Sequence, residues 1–255
     1  MRDLRLSFGG IAALDGCSLD VPAGSITGLI GPNGAGKTTL FNAVSGQLRP
    51  DAGEVYLDGA RVTGLAPHRL FRRGLVRTFQ IPRLFEQMTV FDNLLVAAQA
   101  PADENVIASL LGTGGLRAGM RAAAGRADEV LGFLDLGDHR AAYAGTLSGG
   151  QKKLLELGRA MMAEPRVVLL DEPGAGVNPT LMVRLVDGIV RLNRERGYTF
   201  CLVEHDMELV ARLCDPVVVL AEGRVLASGS MAQVRADAAV RAAYLGRAAA
   251  REPVA

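Results

Sequence analysis

Gly31-Pro32-Asn33-Gly34-Ala35-Gly36-Lys37-Thr38 reads as G-x-x-x-x-G-K-[ST], the pattern of a loop that wraps the phosphates of a nucleotide. Only three of the chain's 28 basic residues are lysines, and Lys37 is one of them. A compact ammonium fits between β- and γ-phosphates, where a planar guanidinium would fit poorly. Gly31, Gly34 and Gly36 let backbone N–H groups converge on an anion, and a helix N-terminus adds a favourable partial charge. Without its flanks the octapeptide would read as a Gly-rich turn between a strand and a helix. The flanks are those the motif needs: residues 25–30 form a short apolar run suited to a buried parallel strand, and 37–44 are helix-compatible, with Leu40, Phe41 and Val44 on one face. Asn33 to Gly36 are therefore candidate phosphate contacts. Thr38 is placed to give its hydroxyl to Mg²⁺, and Thr39 to touch phosphate.

A second constellation lies far downstream. Val167-Val168-Leu169-Leu170-Asp171-Glu172 is an apolar strand ending in two acids. Asp171, at the strand's carboxyl end, is expected to face the phosphate loop across a sheet and hold Mg²⁺, directly or through water. Glu172, one step later, suits a general base for an attacking water. Such a strand end is commonplace alone; paired with the phosphate loop it gains meaning.

The chain has 255 residues, 49% of them hydrophobic, and a formal net charge of +1. That suffices for one large domain, or a domain with a subdomain, without covalent staples. Near-neutral charge and 5% aromatics with no Trp give no argument for nucleic acid. Cys17, Cys201 and Cys214 are odd in number and lack C-x-x-C spacing, as expected of reduced cytosolic thiols. No apolar run of about 18 residues and no signal-peptide core is present, so any membrane role is expected to come through partners.

Alternating strand and helix signals predict an α/β core interrupted in the middle. Glu54-Val55-Tyr56-Leu57 followed by Asp58-Gly59 predicts a small antiparallel element, and Leu75-Val76-Arg77-Thr78-Phe79 predicts a strand ending at Gln80. From about residue 82 to 163 the character is helical. There Thr89-Val90-Phe91-Asp92 resembles a capping box, and 112–127, rich in Gly, Ala and Arg, read as a loop leading into a helix. Strands return at 167–171, 199–204, 216–220 and 224–227, the last two joined by a turn at Glu222-Gly223. Asn178-Pro179 is expected to cap a helix running to about Arg196, and a last helix is expected over about 231–245.

Leu147-Ser148-Gly149-Gly150-Gln151 is the most specific segment. Ser148 and Gln151 form an S-x-x-Q capping box, and Gly149 and Gly150 leave bare N–H groups at a helix start. This is a second anion-binding surface in a chain that already has one. In isolation a plain N-cap before a core helix would look the same. With the phosphate loop before it and Leu169-Leu170-Asp171-Glu172-Pro173 after it, the chain resembles, over nearly its whole length, the ATP-binding subunit of an ATP-binding cassette (ABC) transporter.

The resemblance implies an α/β P-loop NTPase cassette with a mostly parallel core sheet, a small antiparallel β subdomain and an inserted helical subdomain. One ATP-binding domain would span 1–255: core 1–81 and 164–230, helical part 82–163, C-terminal helix and tail 231–255. Gln80 matches the family's Q-loop glutamine, which touches Mg²⁺ or the water and senses the membrane subunit. Gly176-Val177-Asn178-Pro179 matches the D-loop, which places Asn178 near nucleotide. His205 matches the switch histidine that steadies the γ-phosphate, and Phe8 falls where the family sets an aromatic ring against adenine. Only seven residues precede Phe8, so the first strand is expected to be shorter than is usual in the family. His68 and His139 receive no role.

A finer similarity lies in Phe8-Gly9-Gly10, Val76-Arg77-Thr78-Phe79-Gln80, Arg83-Leu84-Phe85, Asp92-Asn93-Leu94-Leu95 and the terminal Ala243-Tyr244-Leu245-Gly246. These resemble the ATP-binding subunits of high-affinity branched-chain amino acid importers, whose relatives serve urea or short amides. Implied are ATP with Mg²⁺, and a head-to-tail nucleotide sandwich. In it Ser148, Gly149, Gly150 and Gln151 of one cassette cover the γ-phosphate held by Lys37 of another, identical or sister, cassette. Integral-membrane permease subunits and, indirectly, a substrate-binding protein are the other implied partners, with no nucleic acid. The place implied is the cytoplasmic face of the inner or plasma membrane, as a peripheral subunit. A soluble cassette ATPase of translation or DNA repair is a competing reading, but those usually carry two cassettes or long coiled-coil or basic insertions. A non-hydrolysing regulatory binder typically loses the catalytic Glu or the switch His, and both are present.

Overall fold

The computed structural model describes residues 1–98 and 114–245. Residues 112–113 of the predicted loop and the expected tail beyond 245 lie outside them. The described chain divides into two compact units, one comprising Met1–Arg77, Arg166–Gly174 and the chain from Leu192 on, the other Thr78–Pro165 and Ala175–Arg191.

In the first unit, β1 (Arg2–Phe8) pairs with β2 (Ile11–Cys17), and both strands and β4 (Ala52–Glu54) form an antiparallel sheet in the order β2-β1-β4. The main sheet consists of β3 (Ile26–Ile30), β7 (Leu75–Arg77), β8 (Val167–Asp171), β9 (Thr199–Val203), β10 (Val217–Ala221) and β11 (Arg224–Gly229). Their order is β11-β10-β3-β9-β8-β7, all parallel except the edge strand β11. β3 and β9 are buried at every position, as continuous apolar strands covered on both faces should be.

Register decides where the strands end. Leu29 of β3 lies opposite Val203 of β9, and Val203 lies opposite Asp171 of β8. Three neighbouring strands therefore finish at one level and deliver the phosphate loop, the Glu204–His205 segment and Glu172 to the same sheet edge. The helix Lys37–Val44, which follows the loop, buries Leu40, Phe41, Ala43 and Val44. They share a core with Leu4, Leu6 and Leu14 of the small sheet and Leu29, Leu169, Val203 and Leu220 of the main one. Burying each large apolar side chain stabilises the unit by roughly 2 kcal/mol relative to exposure, so the loop springs from a well-anchored strand and helix.

The turns follow their residues. Asp58 and Gly59 (φ 48° and 76°) and Glu222 and Gly223 (φ 49° and 74°) make two-residue hairpins with both centres left-handed, the geometry that matches strand twist. Other elements depart from expectation. The stretch 54–57 is not one strand: Glu54 ends β4 against β1, Val55 turns into the core, and β5 (Tyr56–Leu57) pairs with β6 (Ala60–Arg61). β7 stops at Arg77, because the Phe79 N–H leaves the ladder to bond Glu156 Oε1 at 3.0 Å. The last helix is two, Met231–Ala236 and Ala238–Leu245. Asp237 separates them, extended at ψ 124°, its carboxylate accepting from the Ala239 and Val240 N–H groups at 2.8 and 3.0 Å. An Asp that caps a new helix breaks the old one.

The second unit contains the helices Val90–Ala97, Gly114–Phe133 and Gly149–Met162, and the helix Pro179–Arg196 begins in it. Gly114–Phe133 is helical where the sequence predicted a loop first. Thr89 caps its helix, accepting from the Asp92 N–H at 3.0 Å, but Asp92 bonds the Thr89 hydroxyl at 2.6 Å instead of reaching back to the amide, so only half of a capping box forms. Gly158 lets three helices meet: a Cβ there would lie 2.9 Å from Leu134, 3.0 Å from Leu94 and 3.1 Å from Val130.

Candidate functional site

In the first unit Lys37 is 7% exposed. Its Nζ donates to the carbonyls of Gly31 at 2.8 Å and Pro32 at 3.1 Å, so the loop curls around its own lysine. Burial lowers the ammonium's pKa, and the nearby Glu172 carboxylate opposes that shift. No side chain caps the helix Lys37–Val44, whose N-cap is Gly36 at φ 103°. A Cβ at Gly36 would sit 2.4 Å from the Ala13 carbonyl; only glycine takes that conformation so close to another backbone. The uncapped first turn leaves N–H groups for an anion. Asn33, Gly34 and Thr38 are exposed, Thr39 is half-buried, and Ala35 is buried, its N–H turned onto the Pro32 carbonyl at 3.1 Å. Phe8, at the end of β1, is half exposed, which leaves a ring free to stack.

At the ends of β8 and β9 the acids and the histidine have specific partners. Asp171 Oδ2 accepts from Arg77 Nη2 at 2.8 Å, and the same guanidinium donates through Nη1 to Asn42 Oδ1 and Ser45 Oγ at 2.6 and 3.1 Å. Glu172 holds a left-handed conformation, φ 48°, at a strain of order 1 kcal/mol. Its N–H donates to the Val203 carbonyl at 3.0 Å, and its Oε1 lies 3.0 Å from His205 Nε2. Glu204, 5% exposed, ties two segments together: Oε1 accepts from the Gly174 N–H at 2.7 Å and Oε2 from the His205 N–H at 3.1 Å. The sequence reading assigned nothing to Arg77 or Glu204. A signal for both was present, since each charge interrupts or directly follows an apolar, β-branched run that a charge joins only when paired or hydrogen-bonded.

The second unit carries Gln80, Ser148–Gln151 and Asn178. The capping box exists: Ser148 Oγ accepts from the Gln151 N–H at 3.4 Å, and Gln151 Oε1 accepts from the Ser148 N–H at 2.9 Å. Ser148 and Gly149 are exposed, but Gly150 is buried. A Cβ at Gly150 would stand 2.4 Å from Leu181 Cδ1 and 2.9 Å from its Cβ, so packing favours a glycine there, whatever its N–H does. Asn178 Oδ1 accepts from the Leu181 N–H at 2.9 Å and starts the next helix. Gln80 is exposed. It follows Phe79, whose N–H is held by Glu156, and burial pushes the Glu156 carboxyl up to about 7.

The oxygen donors suit Mg²⁺. Thr38 offers a hydroxyl and Asp171 a carboxylate engaged by Arg77 through Oδ2, both hard ligands; Gln80, in the second unit, carries an amide oxygen of the same character. Among the described residues no three His, Cys, Asp or Glu side chains gather into a metal cage. The cysteines stand apart from this chemistry. All three are buried, and burial pushes the Cys17 thiol to about 11 and those of Cys201 and Cys214 to about 12.

A buried lysine in a glycine loop, a strand ending in two acids, and a capped glycine helix start together define a nucleotide-hydrolysing cassette, and comparison with known proteins agrees. A family profile described as ABC transporter matches residues 14–175. The chain belongs to that family and is one of its ATPases. A second profile, described as branched-chain amino acid ATP-binding cassette transporter, matches residues 224–250. The high-affinity branched-chain amino acid transport ATP-binding protein BraF of Pseudomonas aeruginosa is 42% identical over 96% of this chain and 96% of its own length. The corresponding protein LivG of Escherichia coli K12 is 39% identical over 97% of each. Among solved structures, a nucleotide-free ATP-binding cassette of an ABC transporter superposes with TM-score 0.82 at 34% identity, covering 95% of this chain and 96% of the other. A cassette in its ADP conformation gives 0.81 at 35%, covering 96% and 97%.

Proposed function

We propose that this chain is the ATP-hydrolysing subunit of a membrane importer for branched-chain amino acids, one of two cassettes that close head to tail over ATP. The observation that carries the reading is the contact of Glu172 with His205 at the sheet edge that also bears the Lys37 loop, in a chain whose second helix start presents Ser148 and Gly149 to solvent. ATP binding makes Lys37 exchange its Gly31 and Pro32 carbonyls for β- and γ-phosphate oxygens, while the uncapped N–H groups of the helix Lys37–Val44 take the remaining charge. Phe8 stacks on adenine. Thr38, Gln80 and Asp171 would hold Mg²⁺, which when bound offsets charge on the β- and γ-phosphates. Glu172 orients the attacking water and accepts its proton, and His205 holds the γ-phosphate in line. Ser148 and the Gly149–Gln151 backbone of the facing cassette close the site, with Asn178 alongside. Closure and reopening drive the permease subunits.

Attachment runs through those subunits, on the cytoplasmic side; among the described residues no helix is long and apolar enough to cross a membrane. The cargo rests on the named relatives. The test is co-expression with the candidate permeases and assay in proteoliposomes: leucine uptake coupled to ATP hydrolysis supports the reading. Hydrolysis without permease binding, or uptake of urea but not leucine, overturns the importer or the cargo respectively. In the Glu172→Gln background, Ser148→Arg should prevent ATP-driven dimerisation, read by light scattering; a dimer that still closes contradicts the sandwich.

A further inference from the structure

The helix start at Ser148–Gln151, the chain's signature segment, depends on a residue that none of the motifs includes. Gln151 Oε1 is committed to the Ser148 N–H at 2.9 Å, which leaves its NH₂ group pointing away from the cap. That nitrogen lies 2.8 Å from His139 Nε2. An amide NH₂ has only donors to offer, so the ring nitrogen must accept, and His139 is the neutral Nδ1–H tautomer. The ring is placed by the short 3₁₀ turn Gly137–His139, in which the His139 N–H donates to the Leu136 carbonyl at 3.0 Å and its own carbonyl accepts from the Ala142 N–H at 2.9 Å.

We propose that His139 is a positioning residue for ATP hydrolysis: its unprotonated Nε2 locks the Gln151 amide in the one orientation that caps Ser148 and so aims the signature serine at the nucleotide of a facing cassette. The proposal rests on the sandwich reading above. Without the ring, the Gln151 amide is free to turn over and set NH₂ against the Ser148 N–H, two donors face to face. The other half of the box, 3.4 Å from the Gln151 N–H to Ser148 Oγ, is too long to hold the serine by itself. A turn therefore holds a ring, the ring holds an amide, and the amide holds the serine.

The test compares His139→Ala and His139→Gln, because a glutamine reaches about as far as Nε2 and offers a carbonyl acceptor. In the assembled transporter, His139→Ala should lower kcat about tenfold, the worth of one anchoring hydrogen bond, with KM for ATP within about twofold of the parent. In the isolated chain the Ser148 amide should exchange hydrogen for deuterium about tenfold faster. His139→Gln should restore both readouts to within about threefold of the parent. Unchanged Ser148 protection in His139→Ala overturns the proposal. So does lost protection with normal kcat, or a His139→Gln that fails to restore either readout. Should His139→Ala not fold, the His139→Gln measurements decide alone, since a residue with only a bulk role would not keep Ser148 protected. Ser148→Arg separates this idea from its premise: if the assembled complex with that change hydrolyses normally the sandwich fails, whereas a dead Ser148→Arg beside a normal His139→Ala removes only the histidine.

Discussion

The helix starts at Lys37 and at Ser148 are built by opposite means. At Lys37 the backbone does the placing: three strands end in register at Leu29, Val203 and Asp171, and the loop, the acids and His205 inherit their positions from the sheet. At Ser148 side chains do it, through Gln151 and His139. A ladder of backbone bonds is hard to disturb by a single substitution, whereas a chain of two side-chain bonds fails at its first missing link. The largest losses at the sheet edge should therefore come from residues that touch ligand, whereas at the signature helix a residue that touches none should cost as visibly.

The strongest way to break that contrast is at the sheet edge. Lys37→Ala should weaken ATP binding by about a hundredfold or more, because a desolvated charge-assisted contact is lost at the phosphates; titration calorimetry showing undiminished affinity would remove the phosphate-loop assignment. Glu172→Gln should lower turnover about a thousandfold with nucleotide binding retained, and hydrolysis near the parent rate would mean another group takes the proton. Glu204→Gln sharpens the contrast by probing an edge residue that acts at second hand. One oxygen survives for a backbone N–H and the other position becomes a donor, so a loss of about 1–2 kcal/mol in urea unfolding is expected, with a fall in kcat smaller than that of Glu172→Gln. A stability identical to the parent would show that the sheet ladder needs no such tie.

The smallest effect belongs to the second unit and depends on pH. Burial raises the Glu156 carboxyl from its ordinary 4.5 to about 7. A raised folded-state pKa means that folding favours the protonated form. Stability is therefore full below about 4.5, declines as pH rises through about 7, and levels off above it. Glu156→Gln removes the charge and keeps an oxygen for the Phe79 N–H. Its Tm should match the parent near pH 4.5 and exceed it by a few degrees above pH 7. Equal melting curves at every pH would show that the Phe79 N–H, with Lys153, Arg159 and Arg83, all of which favour the ionised form, offsets the burial completely.

What could be read in the sequence was whatever depends on near neighbours. The strand before Gly31, the helix after Lys37, the Asp58-Gly59 and Glu222-Gly223 turns and the Ser148–Gln151 box are all local chemistry, and all are present. What escaped depends on partners far along the chain. Asp171 read as a bare metal ligand, yet Arg77, 94 residues earlier, holds one of its oxygens. Glu204 read as the last residue of a strand, which in fact stops at Val203, and Gly174, 30 residues back, gives its carboxylate a purpose. Asp237 shows the opposite failure: the helical pattern of 231–245 was real, but a carboxylate able to cap its own second and third neighbours ended one helix and began another.

Gly150 carries a lesson for anyone who maps this segment by mutagenesis. With Leu181 Cβ 2.9 Å and its Cδ1 2.4 Å from where a methyl would go, even alanine must push aside the leucine whose N–H closes the turn that Asn178 initiates. An inactive alanine variant at 150 would thus report crowding beneath the helix, and counting it as proof of contact with a triphosphate would confuse a jammed hinge with a missing key.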